Sequence, residues 1–134
     1  MKVLLLNDDR WHPAKVSLGG VQPLEALGYS FDAVSDGALI ESADLSGYPV
    51  VLLTKSNNRN AEDTTKWAGE AARGRLREYV RGGGGLLAIH SGTAGYGGLE
   101  DMHRLLGGLF MTHPAQLPVK FTPRAGHPIT RGVE

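Results

Sequence analysis

Three short apolar runs, at residues 3–6, 50–53 and 86–89, constrain the fold of this chain more than any other feature. None of them alternates between apolar and polar residues, which is typical of strands that are covered on both faces. Such strands occur in parallel sheets between two layers of helices. Residues 31–34 and 119–121 are weaker strand candidates and are expected nearer the edges of the sheet.

Apolar residues at helical spacing lie between these runs and predict three helices. The positions are Val21, Leu24 and Leu27 for the first helix, Ala68, Ala72, Leu76 and Val80 for the second, and Leu99, Met102 and Leu106 for the third. A glycine follows each pattern and marks a helix end. This alternation predicts an α/β three-layer sandwich with a mostly parallel sheet in the flavodoxin-like strand order 2-1-3-4-5.

The composition narrows the range of partners and chemistries. Fourteen basic residues balance fourteen acidic ones, so the net charge gives no reason to expect nucleic acid or an anionic membrane as a partner. The chain has no cysteine, which excludes disulfides, thiolate nucleophiles and cysteine-ligated zinc. Because no stretch approaches the roughly 20 apolar residues that span a bilayer, we expect a cytoplasmic protein. The length of 134 residues suits a single domain.

Ligands of doubly wound sheets bind outside the carboxyl ends of the strands, where the strand order reverses. The loops expected at that point are residues 7–13, 54–60 and 90–98. These loops hold most of the chemically reactive side chains of the chain. Their convergence is the main argument from the sequence for a functional site.

His90 directly follows the third apolar run and precedes a glycine-rich turn into a helix. A strand-to-helix turn of this kind lifts a side chain over the sheet edge. Ile89 and Thr93 stand where a nucleophile elbow around Ser91 would need glycines, and no phosphate-binding loop or dinucleotide fingerprint is complete. Histidine titrates near pH 6.5 and ligates metals when neutral, so His90 is predicted to be an acid/base group or a metal ligand.

The first loop supplies the predicted partners of His90. The predicted catalytic residues are His90, His12 and Asp8, with Asp9 as a further partner, and the predicted ligand contacts are Asn7, Trp11, Asn57, Ser91 and Gly92. His12 and His90 are also the candidate ligands of a divalent metal, and the sequence leaves the cofactor undetermined. Solvated loop charge or helix capping is the alternative for the two aspartates, and packing is the alternative for Trp11.

Several separated motifs resemble the ThuA-like (trehalose utilisation) family. They are YVRGGGGLLAIHS at residues 79–91, LLGGLF at 105–110, the pair His113-Pro114 and HPITRG at 127–132, together with Asn7 and His12 in the first loop. The resemblance covers essentially the whole chain and adds His113 to the predicted ligand contacts. It implies a flavodoxin-like sheet related to the class I glutamine amidotransferases.

Two departures from the relatives matter for function. In the amidotransferase superfamily the residue after this strand is a nucleophilic cysteine, but this sequence carries His90 there, so glutaminase chemistry is not carried over. Members of the ThuA-like family usually continue well past the motif at 127–130 into an acidic, aromatic-containing segment. We therefore expect a single domain over residues 1–134 that is either a fragment of a longer family member or a shortened member.

The family is associated with the utilisation of disaccharides and their oxidised derivatives. We therefore expect a sugar-like ligand beside His90 and an enzyme with a histidine-centred site. The alternative is a non-catalytic small-molecule-binding or interaction module, because no complete catalytic motif is present and the fold alone does not decide. Hydrolysis by Ser91 is a third alternative that lacks an elbow signature. The sequence leaves homodimer formation open.

Overall fold

The computed structural model of the chain describes residues 1–132. Its strands are β1 (Lys2–Leu6), β2 (Ser30–Val34), β3 (Val50–Leu53) and β4 (Gly85–Ala88). Its α-helices are α1 (Ala14–Val21), α2 (Glu70–Arg81) and α3 (Glu100–Leu106). Short 3₁₀ helices are formed by Gln22–Leu27, Gly37–Glu41, His90–Thr93 and Pro128–Thr130.

The four strands form one parallel sheet in the order β2-β1-β3-β4. The chain leaves β1 towards β2 and later returns to the other side of β1 with β3. The strand order therefore reverses between β1 and β3, as the flavodoxin-like arrangement predicts. Loops at the carboxyl ends of these two strands lie side by side.

Each face of the sheet has its own apolar cluster, because successive side chains of a strand point to opposite faces. Leu4 and Leu6 belong to the larger cluster, which also contains Trp67 and the α2 residue Leu76. Leu5 lies on the other face and packs with Val21 of α1. Helices thus cover both faces, and the predicted three-layer α/β sandwich is confirmed. This double coverage explains why residues 3–6 of β1 are continuously apolar.

The predicted strand at residues 119–121 is wrong. These residues form no strand, and the side chains of Val119 and Phe121 are exposed, with 88% and 75% of their surface accessible. Pro118 precedes them and lacks the N–H that a ladder hydrogen bond requires. The segment belongs to neither apolar cluster, and the β propensity of its residues does not hold a strand without packing.

The first predicted helix is divided into two parts. α1 ends at Val21, whereas Leu24 and Leu27 lie in a 3₁₀ helix that has Pro23 near its start. Proline has no N–H to bond back along an α-helix, so the regular helix cannot continue through Pro23. The other two helices end at glycines as predicted. In the described part of the chain, no helix has the length and apolarity that crossing a membrane requires.

Candidate active site

Asp9 organises the loop that follows β1. Its side chain is fully buried, and Oδ1 accepts hydrogen bonds from the backbone N–H groups of Trp11 and His12, both at 2.8 Å. The same oxygen lies 2.9 Å from Nδ1 of His12. Oδ2 accepts the N–H of Ser56, from the loop after β3, at 2.8 Å. The carboxylate therefore fixes the His12 ring and connects the two loops at the point where the strand order reverses.

These donors keep the Asp9 carboxyl group ionised. Burial by itself raises the pKa of Asp9, because it disfavours the charged form, but the hydrogen bonds from Ser56, Trp11 and His12 outweigh burial. The pKa of Asp9 consequently lies below its usual value. An ionised carboxylate can only accept hydrogen bonds, so Nδ1 of His12 carries the proton that points at it.

His90 stands in a sharp turn that begins one residue after the end of β4. Its φ is 54°, in the left-handed region that residues other than glycine rarely adopt. The turn is pressed against β3: a Cβ atom on Gly92 would lie 2.1 Å from the carbonyl oxygen of Leu53. The hydroxyl of Ser91 donates to the carbonyl of Thr54 at 2.8 Å. These contacts hold His90 at the carboxyl ends of the strands.

The imidazoles of His12 and His90 meet at this edge of the sheet. Their Nε2 atoms are 3.0 Å apart, and the rings are perpendicular, with centroids 4.7 Å apart. A hydrogen bond needs one donor and one acceptor, so the two Nε2 atoms share one proton. Nδ1 of His12 already donates to Asp9. The three side chains thus form a continuous hydrogen-bonded series, named here the Asp9–His12–His90 chain.

The sequence around this geometry matches a family model described as ThuA, trehalose utilisation, over residues 2–134. The chain belongs to the ThuA family. Neither the curated proteins nor the solved structures contain a match to it. The resemblance found in the sequence is confirmed, and the family suggests a role in trehalose utilisation.

The structure of this ThuA-family chain brings the two predicted catalytic histidines together, but it separates the two aspartates. The carboxylate of Asp8 accepts the N–H of Ala14, at the start of α1, at 3.0 Å. Asp8 also has a left-handed backbone, with φ at 69°. Asp9, and not Asp8, hydrogen-bonds to His12. A catalytic role of Asp8 stays a prediction.

Four of the predicted ligand contacts, Asn7, Asn57, Ser91 and Gly92, are buried. The amide of Asn57 donates to the carbonyl of Gly95 at 3.1 Å and accepts the N–H of Ala68 at 3.0 Å, so it braces its loop. The hydroxyl of Ser91 is likewise already hydrogen-bonded to the backbone. Asn7 is buried after β1, and its Nδ2 has no hydrogen-bond partner within residues 1–132. Ligand binding by these residues stays a prediction.

Trp11 and His113 are predicted ligand contacts, and both have accessible rings. Trp11 is 73% exposed, and the guanidinium of Arg10 lies 5.6 Å from the centre of its ring. The ring of His113 lies 6.0 Å from that of Phe110, whose N–H donates to the carbonyl of Thr93 in the His90 turn. Both side chains therefore offer accessible ring surface on segments connected to the Asp9–His12–His90 chain.

Lys55 is a member of this region that sequence reasoning missed. It is fully buried, and burial lowers its pKa to about 8, although the negative charges of Asp8, Asp36 and Asp9 oppose that shift. Lysine in a polar loop is usually solvated, so nothing in the sequence distinguishes Lys55 from a surface residue. Only the fold shows that the Lys55 side chain is buried.

A divalent metal at the two histidines would need further ligands. Nε2 of His12 and Nε2 of His90 provide two nitrogens, and Asp9 on Nδ1 of His12 is the kind of outer partner that metal-bound histidines have. Within residues 1–132, no group of three or more His, Cys, Asp or Glu side chains is arranged to hold a metal. Water or a bound ligand would have to complete the coordination.

Proposed function

We propose that this ThuA-family chain is an enzyme of carbohydrate utilisation that moves protons to and from a sugar-like ligand through the Asp9–His12–His90 chain. The observation that carries the proposal is the 3.0 Å approach of the two Nε2 atoms, with a buried carboxylate behind one of them. A carboxylate–histidine pair orients the ring and stabilises the charge that the ring gains when it accepts a proton.

The proton shared by the two Nε2 atoms gives the two histidines different roles in proton transfer. The imidazole whose Nε2 lacks the proton is a base that can accept one from a sugar hydroxyl, or from a carbon next to a carbonyl in an oxidised sugar. The other imidazole holds a proton on Nε2 and can deliver it to a second oxygen of the ligand. A positioned acid or base typically contributes about 10²–10⁴-fold to the rate.

Ligand access supports this assignment. The side chain of His12 is 32% exposed, and His90 is exposed, so a ligand can reach both Nε2 edges. Trp11 lies directly before His12 in the same loop and presents an exposed ring. The C–H faces of sugar rings pack on such aromatic surfaces, with the apolar body of the ring providing contact area.

The non-catalytic alternative is favoured by one observation: the two histidines lie on an open surface. Enzyme ligands are usually enclosed in clefts. A cleft of about 540 Å³ lies at the opposite, amino-terminal edge of the sheet, between Tyr48, Arg75 and Gly83, and contains none of the residues proposed above. A binding module would hold a sugar at the histidines and release it unchanged.

The experiment that separates the two functions compares binding with turnover for the same sugars. Trehalose and its oxidised, ketone-bearing derivative are each incubated with the protein; binding is followed by calorimetry and chemical change by NMR. The proposal predicts a changed sugar in the presence of the protein, and loss of that change in His12→Asn. Binding of either sugar with no change over many protein equivalents would contradict the proposal and favour the binding module.

A further inference from the structure

Lys55 connects two loops across the carboxyl end of β1. It follows β3 after one intervening residue, and its Nζ donates to the carbonyl oxygen of Arg59, in its own loop, at 2.6 Å. Nζ also donates to the carbonyl oxygen of Ser35, which directly follows β2. In the sheet, β1 lies between β2 and β3 and leads into the Asp9 loop. The hydrogen bonds of the Lys55 ammonium therefore join the segments that follow the two neighbours of β1.

The residue after Lys55 is in direct contact with the proposed site. The backbone N–H of Ser56 donates to Oδ2 of Asp9 at 2.8 Å, and the carbonyl of Ser56 accepts the indole N–H of Trp67 at 3.0 Å. Lys55 and Trp67 are both fully buried, so this short segment is held from two sides. A shift of the loop around Lys55 would move the Ser56 donor away from Asp9.

Charge connects the same residues. Asp9 is a fully buried carboxylate, and buried charges persist in proteins when an opposite charge or several hydrogen bonds compensate them. The negative charges of Asp8, Asp36 and Asp9, with Asp8 contributing most, oppose the lowering of the Lys55 pKa by burial. Among the polar and charged side chains that are buried in the described part of the chain, Lys55 is the cation.

We propose that Lys55 is a positioning residue, whose buried ammonium links its own loop to the segment after β2 and thereby fixes the Ser56 donor on Asp9, so that Asp9 holds the proton of His12 on Nδ1. The inference deepens the proposed function, because it explains how the Asp9–His12–His90 chain is kept in its working protonation pattern. It concerns the protonation pattern of the free protein and can be tested without a substrate.

The absence of cysteine from the chain allows the ammonium to be removed and restored at one position. Lys55→Cys is alkylated in denaturant and then refolded. Alkylation with 2-bromoethylamine restores an ammonium at the length of lysine. Alkylation of a second sample with 1-bromopropane gives a side chain of the same length without charge. The His12 ring is then observed by ¹⁵N NMR at constant pH, with its signals assigned from their absence in His12→Asn. Lys2→Cys, treated identically, is the control, because Lys2 pairs with Asp32 at the amino-terminal edge of the sheet.

In the aminoethylated protein, the ¹⁵N signals of the His12 ring are expected to show a protonated Nδ1, as in the wild type. In the folded propylated protein, this Nδ1–H signature is expected to be lost. Both Lys2 derivatives should keep it. A folded propylated protein with the wild-type His12 signature would overturn the proposal. If the propylated chain does not refold, Lys55→Met, which has neither an N–H donor nor a charge, takes its place; failure of both to fold would also overturn the proposal, since Lys55 would then serve the fold. Retention of turnover in His12→Asn would instead refute the proposed function and leave the Lys55 result intact.

Discussion

The Nε2 atoms of His12 and His90 lie 3.0 Å apart although 78 positions separate the two residues in the sequence. The sheet brings this about, because β1 and β4 are parallel and only β3 lies between them. Each histidine follows its strand at the carboxyl end. Residues in these loops meet at the edge where doubly wound folds bind ligands. The pairing depends on the turn after β4 and on Asp9, and both can be tested.

Gly92→Ala should destabilise the protein through the turn that carries His90. A Cβ atom at this position would lie 2.1 Å from the backbone oxygen of Leu53, so the turn must move away from β3. Such overpacking typically costs about 1–3 kcal/mol, which chemical denaturation can measure. Gly97→Ala is the matched control, because nothing lies within 4 Å of a Cβ there. Equal unfolding free energies of the two variants would show that the turn tolerates the added atom.

Asp9→Asn should uncouple His12 from its carboxylate. The amide removes the charge and directs a donor group towards N–H groups that are themselves donors, so His12 loses the partner that holds its Nδ1 proton. We expect turnover to fall about 10²–10⁴-fold and stability to decrease by roughly 2 kcal/mol. Asp44→Asn is the control, since that carboxylate accepts one N–H, from Ser46, in an exposed turn. Comparable turnover in Asp9→Asn and Asp44→Asn would remove Asp9 from the mechanism.

The unfolding free energy should rise with pH between about pH 8 and 10 because of Lys55. Its pKa is about 8 in the folded protein and 10.5 when it is unperturbed, so in this interval the unfolded chain binds the extra proton. Stability increases with pH wherever the unfolded state binds more protons. Denaturation across this interval should show a smaller rise in Lys55→Met than in the wild type.

Lys2→Met is the control for the Lys55 measurement. The pKa of Lys2 is raised by its hydrogen bond and charge interaction with Asp32, so Lys2 releases its proton above this interval in both states. Its substitution should leave the slope of stability against pH unchanged there. An identical slope in Lys55→Met and the wild type would mean that Lys55 is not titrating near pH 8.

β1, β3 and the meeting of the two histidines were predictable, because burial on both faces leaves a continuous apolar run and the end of such a run marks the sheet edge. The expectation that the run at residues 86–89 is covered on both faces is wrong, because β4 is an edge strand and Leu87 is 53% exposed. Residues 119–121 include residue types that are common in strands, but they have no surface to pack on and form no strand. The choice between Asp8 and Asp9 depends on the left-handed backbone at Asp8, which a sequence of two adjacent aspartates does not reveal. Lys55 was unpredictable because it is buried where its loop meets the segment after β2, which is distant in sequence.

His90 is the residue through which the proposed proton transfer can be tested most directly. His90→Asn keeps a side chain that tolerates the left-handed backbone, so its melting temperature should stay within a few degrees of the wild type, or about 1 kcal/mol. His103→Asn, on the exposed surface of α3, is the control for a lost imidazole.

The decisive measurement is the turnover of trehalose or its ketone-bearing derivative, whichever the wild-type protein converts, by the folded His90→Asn variant. Proton transfer through His90 predicts a fall of at least about 100-fold, the low end for the loss of an acid/base group, with His103→Asn as active as the wild type. Wild-type turnover by a folded His90→Asn protein would contradict it.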